Sequence, residues 1–479
     1  MMLPVTEQQT AALHQICARF QAVIIHHDAR QLHVAAQAEV LEALSEALRF
    51  ACPQTLHTEC WPAARLEQAR QAAAQSNAEP PAPPPGSHAG VTLADDATPA
   101  AAFIREMLLL ALQRRASDIH LEPGAGRYRL RLRIDGVLQE IAPPPGELGN
   151  QIVARLKVMG KLDIAERRLP QDGQCTVQPG GQPVALRLSS LPTLYGEKLV
   201  LRLQHGPQQA PDITQLGMAP EALACFRRVL AQPQGLVLVT GPTGSGKTVT
   251  LYSGLTLLNS PAHNLCSVED PVEIPVEGIN QTQVNPKAEL SFARILRALL
   301  RQDPDIIMIG EIRDAETAEI AVNAAQTGHL VLSTLHTNST AETLVRLNQM
   351  GIEGYLIASC LKLVIAQRLV RRLCPHCRAR SQEPAPLPPG SLPGPLFPWR
   401  ATGCDHCCAG YYGRTGLYEM LVVTPEIQQA LTRQATVQAL TEIARQQGQA
   451  SLLNAGLALA AEGITSLEEV YRVVGAQDG

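Results

Sequence analysis

Eight consecutive residues, Gly241-Pro242-Thr243-Gly244-Ser245-Gly246-Lys247-Thr248, have the types and spacing to grip a chain of phosphates. The three glycines reach backbone conformations closed to other residues. Successive N–H groups can then converge on phosphate oxygens, aided by the positive end of the helix that follows. Lys247 would reach the β- and γ-phosphates, and the Thr248 hydroxyl would hold Mg²⁺. The run Gly235-Leu-Val-Leu-Val-Thr240 directly before it reads as the short buried strand such a loop needs. A chance glycine-rich turn is the competing reading, and the strand argues against it. The expectation is a bound nucleoside triphosphate.

Acidic groups stand at matching places downstream. Ile306-Ile-Met-Ile309 reads as a buried strand ending at Gly310-Glu311, where Glu311 would order Mg²⁺ or polarise an attacking water. Leu265 to Val268 is a second short strand, ending in Glu269-Asp270, with Glu273 close behind. One of these three carboxylates is a candidate water-orienting base, and a salt-bridged loop is the alternative. His329 to Thr334 is a third strand ending near His336, which reads either as a γ-phosphate sensor or as a structural histidine.

Cys374-Pro-His-Cys377 and Cys404-Asp-His-Cys407 are two C-x-x-C pairs with 26 residues between them, the pattern of a structural Cys₄ zinc site. The prolines between them could not pack alone, and a metal would close the loop. His376, His406 and Cys408 are possible substitute ligands, and disulfides are the alternative chemistry.

Positioning these groups takes alternating strands and helices, hence an α/β chain whose parallel sheet gathers active groups at its carboxyl ends. With 479 residues, two to four domains are expected. Residues 1–76 suggest a short α/β domain with a helix over Val40 to Phe50. Residues 77–97 form a linker with prolines clustered over 77–90, and residues 98–205 form a second small α/β domain. There Pro99 to Arg114 has a one-faced helical pattern, while Tyr128-Arg-Leu-Arg-Leu-Arg-Ile134 alternates as a strand. Arg187 and Arg202 recur on further strands, either as a solvated face or as an anion-facing surface. Residues 206–479 hold the phosphate loop, with the cysteines in an insertion over 372–410.

The formal charge of −4 and an aromatic content of 3% give no general reason to bind nucleic acid. The N-terminus MMLPVTEQQT has no signal-peptide pattern, so reduced cytosolic thiols are expected. The longest apolar run, Tyr355 to Ala366, is interrupted by Lys362 and too short to span a bilayer.

Taken together, RASDIHLEP (115–123), LDIAERRLPQDG (162–173), LPTLYGEKLVLRL (191–203), GPTGSGKT, VEDPVE, GEIRDAETAEIAVNAAQTGHLVLSTLHTN (310–338) and GYYGR (410–414) resemble the ATPases of bacterial type II secretion and type IV pilus assembly, the GspE/PilB type. The short first domain is most similar to HofB-type members. The resemblance implies a RecA-like ATPase domain preceded by a PAS-like second domain, with ATP, Mg²⁺ and Zn²⁺ as cofactors. It also implies catalytic roles for Glu269, Glu311 and His336, and ring hexamers in which Arg187 and Arg202 face a nucleotide. The implied partner is an inner-membrane platform protein or its cytoplasmic adaptor, with the chain peripheral to that membrane. A retraction motor and a nucleic-acid-translocating motor are the alternatives.

Overall fold

The computed structural model describes residues 22–27, 31–51, 55–62, 65–66, 98–180, 183–204, 210–387 and 394–475. The linker expected at 77–97 and the N-terminal ten residues lie outside the described residues, as do Pro388, Pro389 and Pro393. The chain divides into two compact units, Met1–His88 and Ala89–Gly479. In the first, β1 (Val23–His27) pairs antiparallel with β2 (Gln31–Ala36), and β2 pairs parallel with β3 (Thr55–Cys60). The expected helix spans Leu41–Ala51 and buries Leu44 and Leu48 in one cluster with Leu32 and Val34.

The second unit opens with helix Pro99–Gln113, capped by the Thr98 hydroxyl on Ala101 N. An antiparallel sheet follows, built from β4 (Ala116–Pro123), β5 (Tyr128–Ile134), β6 (Val137–Ile141), β7 (Gln171–Val177), β8 (Val184–Thr193) and β9 (Gly196–Gln204), in the order β6-β5-β4-β9-β8-β7. Period-two alternation sends Leu130, Leu132 and Ile134 into a core shared with Ile104, Leu108, Ile152 and Leu156 of the helices Pro99–Gln113 and Gly149–Met159. The opposite face carries arginines, several of them paired: Arg129, Arg131 and Lys198 converge on Glu122, while Arg202 meets Asp118 at 3.0 Å. Buried Lys157 is held by the Glu197 carboxylate and the Glu166 carbonyl, each at 2.7 Å.

The remaining strands are β10 (Gly235–Thr240), β11 (Leu265–Glu269), β12 (Ile279–Gln283), β13 (Ile306–Ile309), β14 (Leu330–Leu335), β15 (Leu361–Leu373), the two-residue pair β16 (Ala379–Arg380) and β17 (Trp399–Arg400), and β18 (Tyr411–Val422). Seven of them form one sheet in the order β12-β11-β13-β14-β10-β15-β18. All its neighbours run parallel except β18, which returns antiparallel along β15. Leu236 to Val239 have no exposed surface, as a central strand covered on both faces requires. Asp314 caps helix Ala315–Gln326 by accepting from Thr317 N at 2.8 Å.

The C-terminal helices are tied to the sheet by one buried carboxylate. Glu469 accepts from Arg371 N at 3.0 Å and Arg371 Nη2 at 2.8 Å, and from Arg472 at 2.7 and 2.6 Å. Burial alone would push its carboxyl up, but Arg472 and Arg371 outweigh that and hold it at about 2. A depressed folded-state pKa stabilises above the unfolded value, and that stability is lost as pH falls through the folded one. Thermal unfolding should therefore show stability declining as pH drops from about 4.5 toward 2. Glu469→Gln should remove on the order of 3 kcal/mol and flatten that limb of the profile.

Candidate active site and metal centre

Four neighbouring strands, β11, β13, β14 and β10, bring their carboxyl ends to one cavity of about 520 Å³. The phosphate loop follows β10, Glu269 closes β11, Glu311 follows β13 and His336 follows β14. Lining the cavity are Lys247, Thr248, Glu269, Glu311 and His336, together with Asp270 and Glu273.

The loop's geometry demands its glycines at two positions for packing reasons. A Cβ on Gly241 would lie 2.4 Å from the Gln367 carbonyl, and one on Gly246 would lie 2.9 Å from Gln367 Nε2. Both residues also have positive φ, 145° and 87°. Lys247 is buried and donates to the carbonyls of Gly241 at 2.7 Å and Pro242 at 3.1 Å. Burial pushes its ammonium down to about 8, against the pull of nearby Glu311. An anionic ligand would reverse that cost. The buried Ser245 hydroxyl oxygen has no hydrogen-bond partner. These two observations fit a phosphate chain over the loop, with the exposed Thr248 at the mouth of the cavity for a magnesium ion.

Glu311 receives His336 Nε2 at 3.3 Å and the Arg313 guanidinium. Burial raises its carboxyl, and Arg313 and His336 more than offset this, leaving it below the usual carboxylate range. Arg313 also approaches Asp270 at 3.8 Å. Glu269 is almost wholly buried and fixed by three donors: Tyr252 Oη, Ser267 Oγ at 2.7 Å and Gln281 Nε2 at 3.1 Å. Asp270 and Glu273 are exposed on the loop that follows.

Sequence reasoning missed Tyr252, Gln281 and Arg313. Gln281 reaches Glu269 because β12 pairs in register with β11, a long-range fact with no local sequence signal. Arg313 stands two residues past Glu311, and a basic residue so close to a strand-end carboxylate was a usable hint. Arg187 and Arg202 do not line the phosphate-loop cavity. They face each other across β8 and β9 and line a separate cavity of about 490 Å³ with Asp118 and Asp172.

The tetracysteine group forms where β15 leaves the sheet and β18 returns to it. Sγ atoms of Cys374 and Cys404 lie 3.8 Å apart, as do those of Cys377 and Cys407, with 3.6 Å between Cys404 and Cys407. Tetrahedral zinc with bonds of about 2.3 Å would place sulfurs about 3.8 Å apart. All four sulfurs fall within 4.8 Å of one another, the separation a single ion needs. The possible substitutes stand outside this group: His376 and His406 lie against each other with ring centroids 4.8 Å apart and planes tilted by 37°, and Cys408 donates to Gln139 Oε1 at 2.5 Å.

A parallel sheet with a phosphate loop at its centre, two strand-end glutamates and a Cys₄ knuckle defines a P-loop protein of the secretion-ATPase fold. Residues 93–472 match the family described as Type II/IV secretion system protein, and the chain belongs to that family. It is similar to the protein transport protein HofB homolog of Escherichia coli strain K12, with 51% identity over 98% of this chain and 99% of that protein. It is also 49% identical to the type IV pilus assembly ATPase PilB of Pseudomonas aeruginosa over 79% of this chain and 68% of that protein. Against the type II secretion system ATPase E of Vibrio cholerae the identity is 48%, over 79% and 76%. Among solved structures, the Legionella pneumophila ATPase DotB superposes with a TM-score of 0.59 at 23% identity, over 80% of this chain and 98% of that one. The pilus retraction motor PilT with bound ADP superposes at 0.51 and 26%, over 78% and 97%. Among the described residues no helix is long and apolar enough to cross a membrane.

Two expectations follow from this geometry. Elemental analysis of reduced, purified protein should give about one zinc per chain. Paired Cys377→Ser and Cys407→Ser changes should abolish it, with hydrogen exchange rising over residues 374–410 but not over β10 and β14. Glu311→Gln should keep nucleotide affinity in an equilibrium titration while slowing turnover by roughly 10²-fold or more; loss of binding would contradict a role in turnover rather than in gripping the nucleotide.

Proposed function

We propose that this chain is an ATP-hydrolysing motor that drives assembly of a type IV pilus or a type II secretion pseudopilus. The observation that carries this reading is the convergence of Lys247, Glu269, Glu311 and His336 on one cavity from four adjacent strands. Family membership, and the similarity to the HofB homolog, PilB and type II secretion ATPase relatives, supply the biological context.

In this mechanism the phosphate loop cradles ATP, and Lys247 turns its ammonium from the Gly241 and Pro242 carbonyls to the phosphate oxygens. Thr248 and Glu311 would hold magnesium, which when bound would supply charge neutralisation at the phosphates. Glu269 orients the attacking water. Its two oxygens offer about four acceptor sites, and three donors already fix the carboxylate in place. One site remains for the water, so the carboxylate is aimed before substrate arrives. His336, held at Glu311, is placed to follow the γ-phosphate as it departs.

The motor is read as a hexamer acting at an inner-membrane platform, from the cytoplasmic side, with residues 1–76 as the contact to that platform or its adaptor. Arg187 and Arg202 lie outside the chain's own nucleotide cavity, so their proposed role is on a neighbouring subunit's ATP. A retraction motor is the second reading, favoured by the PilT likeness. The near-full-length similarity to the HofB homolog and the Cys₄ group weigh toward assembly.

A subunit-mixing assay tests this reading. Lys247→Ala and Arg202→Ala chains should each be deficient in turnover, the arginine variant by about tenfold or more. Activity recovered on mixing places the arginine on a neighbour's nucleotide. Full turnover by Lys247→Ala alone would overturn the ATPase assignment, and full turnover by Arg187→Ala and Arg202→Ala would return those residues to a solvated strand face.

A further inference from the structure

The second domain meets the seven-stranded sheet through the hairpin turn between β5 and β6. Asp135 and Gly136 join β5 to β6 with φ of 49° and 87°, a turn that Asp or Asn followed by Gly adopts readily. The Asp135 side chain, about 10% exposed, points at the start of β18. Its Oδ2 accepts from Gly413 N at 3.0 Å, and its Oδ1 faces Arg414 Nε at 3.9 Å. Arg115, 3.6 Å from the same carboxylate, lies 3.8 Å over the Tyr412 ring. A little further along the same seam, Cys408 bonds Gln139 of β6.

Arg414 is the one residue of this seam that also lines the nucleotide cavity, beside Lys247, Glu269 and Glu311. Gly413 precedes it with φ of 79°, so the direction of the Arg414 side chain depends on how the Gly413 peptide is held. Asp135 holds that peptide and faces the guanidinium from behind.

We infer that Asp135 is a positioning residue for the known site: it aims Arg414 at the nucleotide and so links the second domain's placement to turnover. The inference rests on the ATPase reading above. When the second domain is docked, the carboxylate accepts from Gly413 N–H and pairs with the Arg414 guanidinium, which lines the cavity. When the domain swings away, Arg414 loses its backstop. A long, exposed arginine without one samples many rotamers and spends little time at a phosphate oxygen. The carboxylate is needed for its charge as well as its shape, because a neutral amide satisfies Gly413 N–H yet does not pair with the guanidinium.

The test is steady-state ATP turnover and nucleotide binding by the full chain carrying Asp135→Asn, Arg414→Lys, or both. Asparagine tolerates the same turn and retains an acceptor, so the fold should persist, with a thermal midpoint within about 4 °C of the parent. Expected is a kcat lower by about fivefold or more, with nucleotide affinity within about twofold. The double variant should be no slower than Arg414→Lys alone, because both changes remove the same aimed contact. Unchanged turnover in Asp135→Asn, or losses that multiply in the double variant, would overturn the inference. Should Asp135→Asn prove unstable, Arg414→Lys decides alone: lysine has no Nε edge to set against Oδ1, and undiminished kcat sinks the proposal. Lys247→Ala separates the two levels. If it is inactive while Asp135→Asn is normal, only the positioning role fails; if it remains active, the ATPase reading itself fails.

Discussion

The candidate site depends on the fit of the glycine-rich loop against β15. Gly241 and Gly246 sit where any Cβ would strike Gln367, whose carbonyl and amide come from the strand pairing directly with β10. Gln367 is buried and also accepts from Thr250 of the helix behind the loop at 2.8 Å. Loop, helix and strand thus form one packed block that fixes the N–H groups of the loop. Preorganisation of this kind is what electrostatic catalysis requires, since the donors need not reorganise when charge develops.

The same strand continues outward from that block. Past Gln367, Arg368 reaches the Asn338 carbonyl at 2.9 Å, Arg371 grips Glu469, and the strand ends at Leu373, beside the first zinc-type cysteine. The chain returns as β18, whose first residues carry Arg414 to the nucleotide cavity. Nucleotide loop, Cys₄ knuckle, C-terminal helices and the hairpin of the second domain are therefore joined by one antiparallel ribbon of thirteen and twelve residues.

Much of this was legible in local sequence. GPTGSGKT, the strand before it, the strand ends at Glu269, Glu311 and His336, the Asp314 cap and the paired cysteines all stand where their local patterns put them. Such features depend on a few neighbouring residues. Tyr355 to Ala366 shows the opposite case: one apolar run becomes helix Gly354–Cys360 and the buried start of β15, since apolar character alone does not distinguish a buried helix from a buried strand. The bonds from Tyr252 and Gln281 to Glu269 and the link from Asp135 to Gly413 join residues 12 to 278 positions apart. They follow from register and domain packing, which local patterns do not encode.

Charge balance at the cavity gives a physical reason for looking outside the single chain. Among its described lining residues the fixed cations are Lys247 and Arg414, set against the carboxylates Glu269, Asp270, Glu273 and Glu311. A triphosphate adds several negative charges to a pocket that is already acidic. Magnesium offsets two of them. Arg313 beside Glu311 and Asp270 offsets part of the remainder, and Coulomb attraction in a partly desolvated cleft favours the approach of further cations. Arginine suits that task because its planar fork stays charged and matches phosphate oxygens. On β8 and β9 of the second domain, Arg187 and Arg202 stand on a sheet face whose other side is sealed by helices, so any anion they serve must arrive from the open side. Arg202 is two-thirds exposed while paired with Asp118, a partnership that solvent keeps weak and that a phosphate can displace. A site short of cations and a surface with exchangeable ones are complementary.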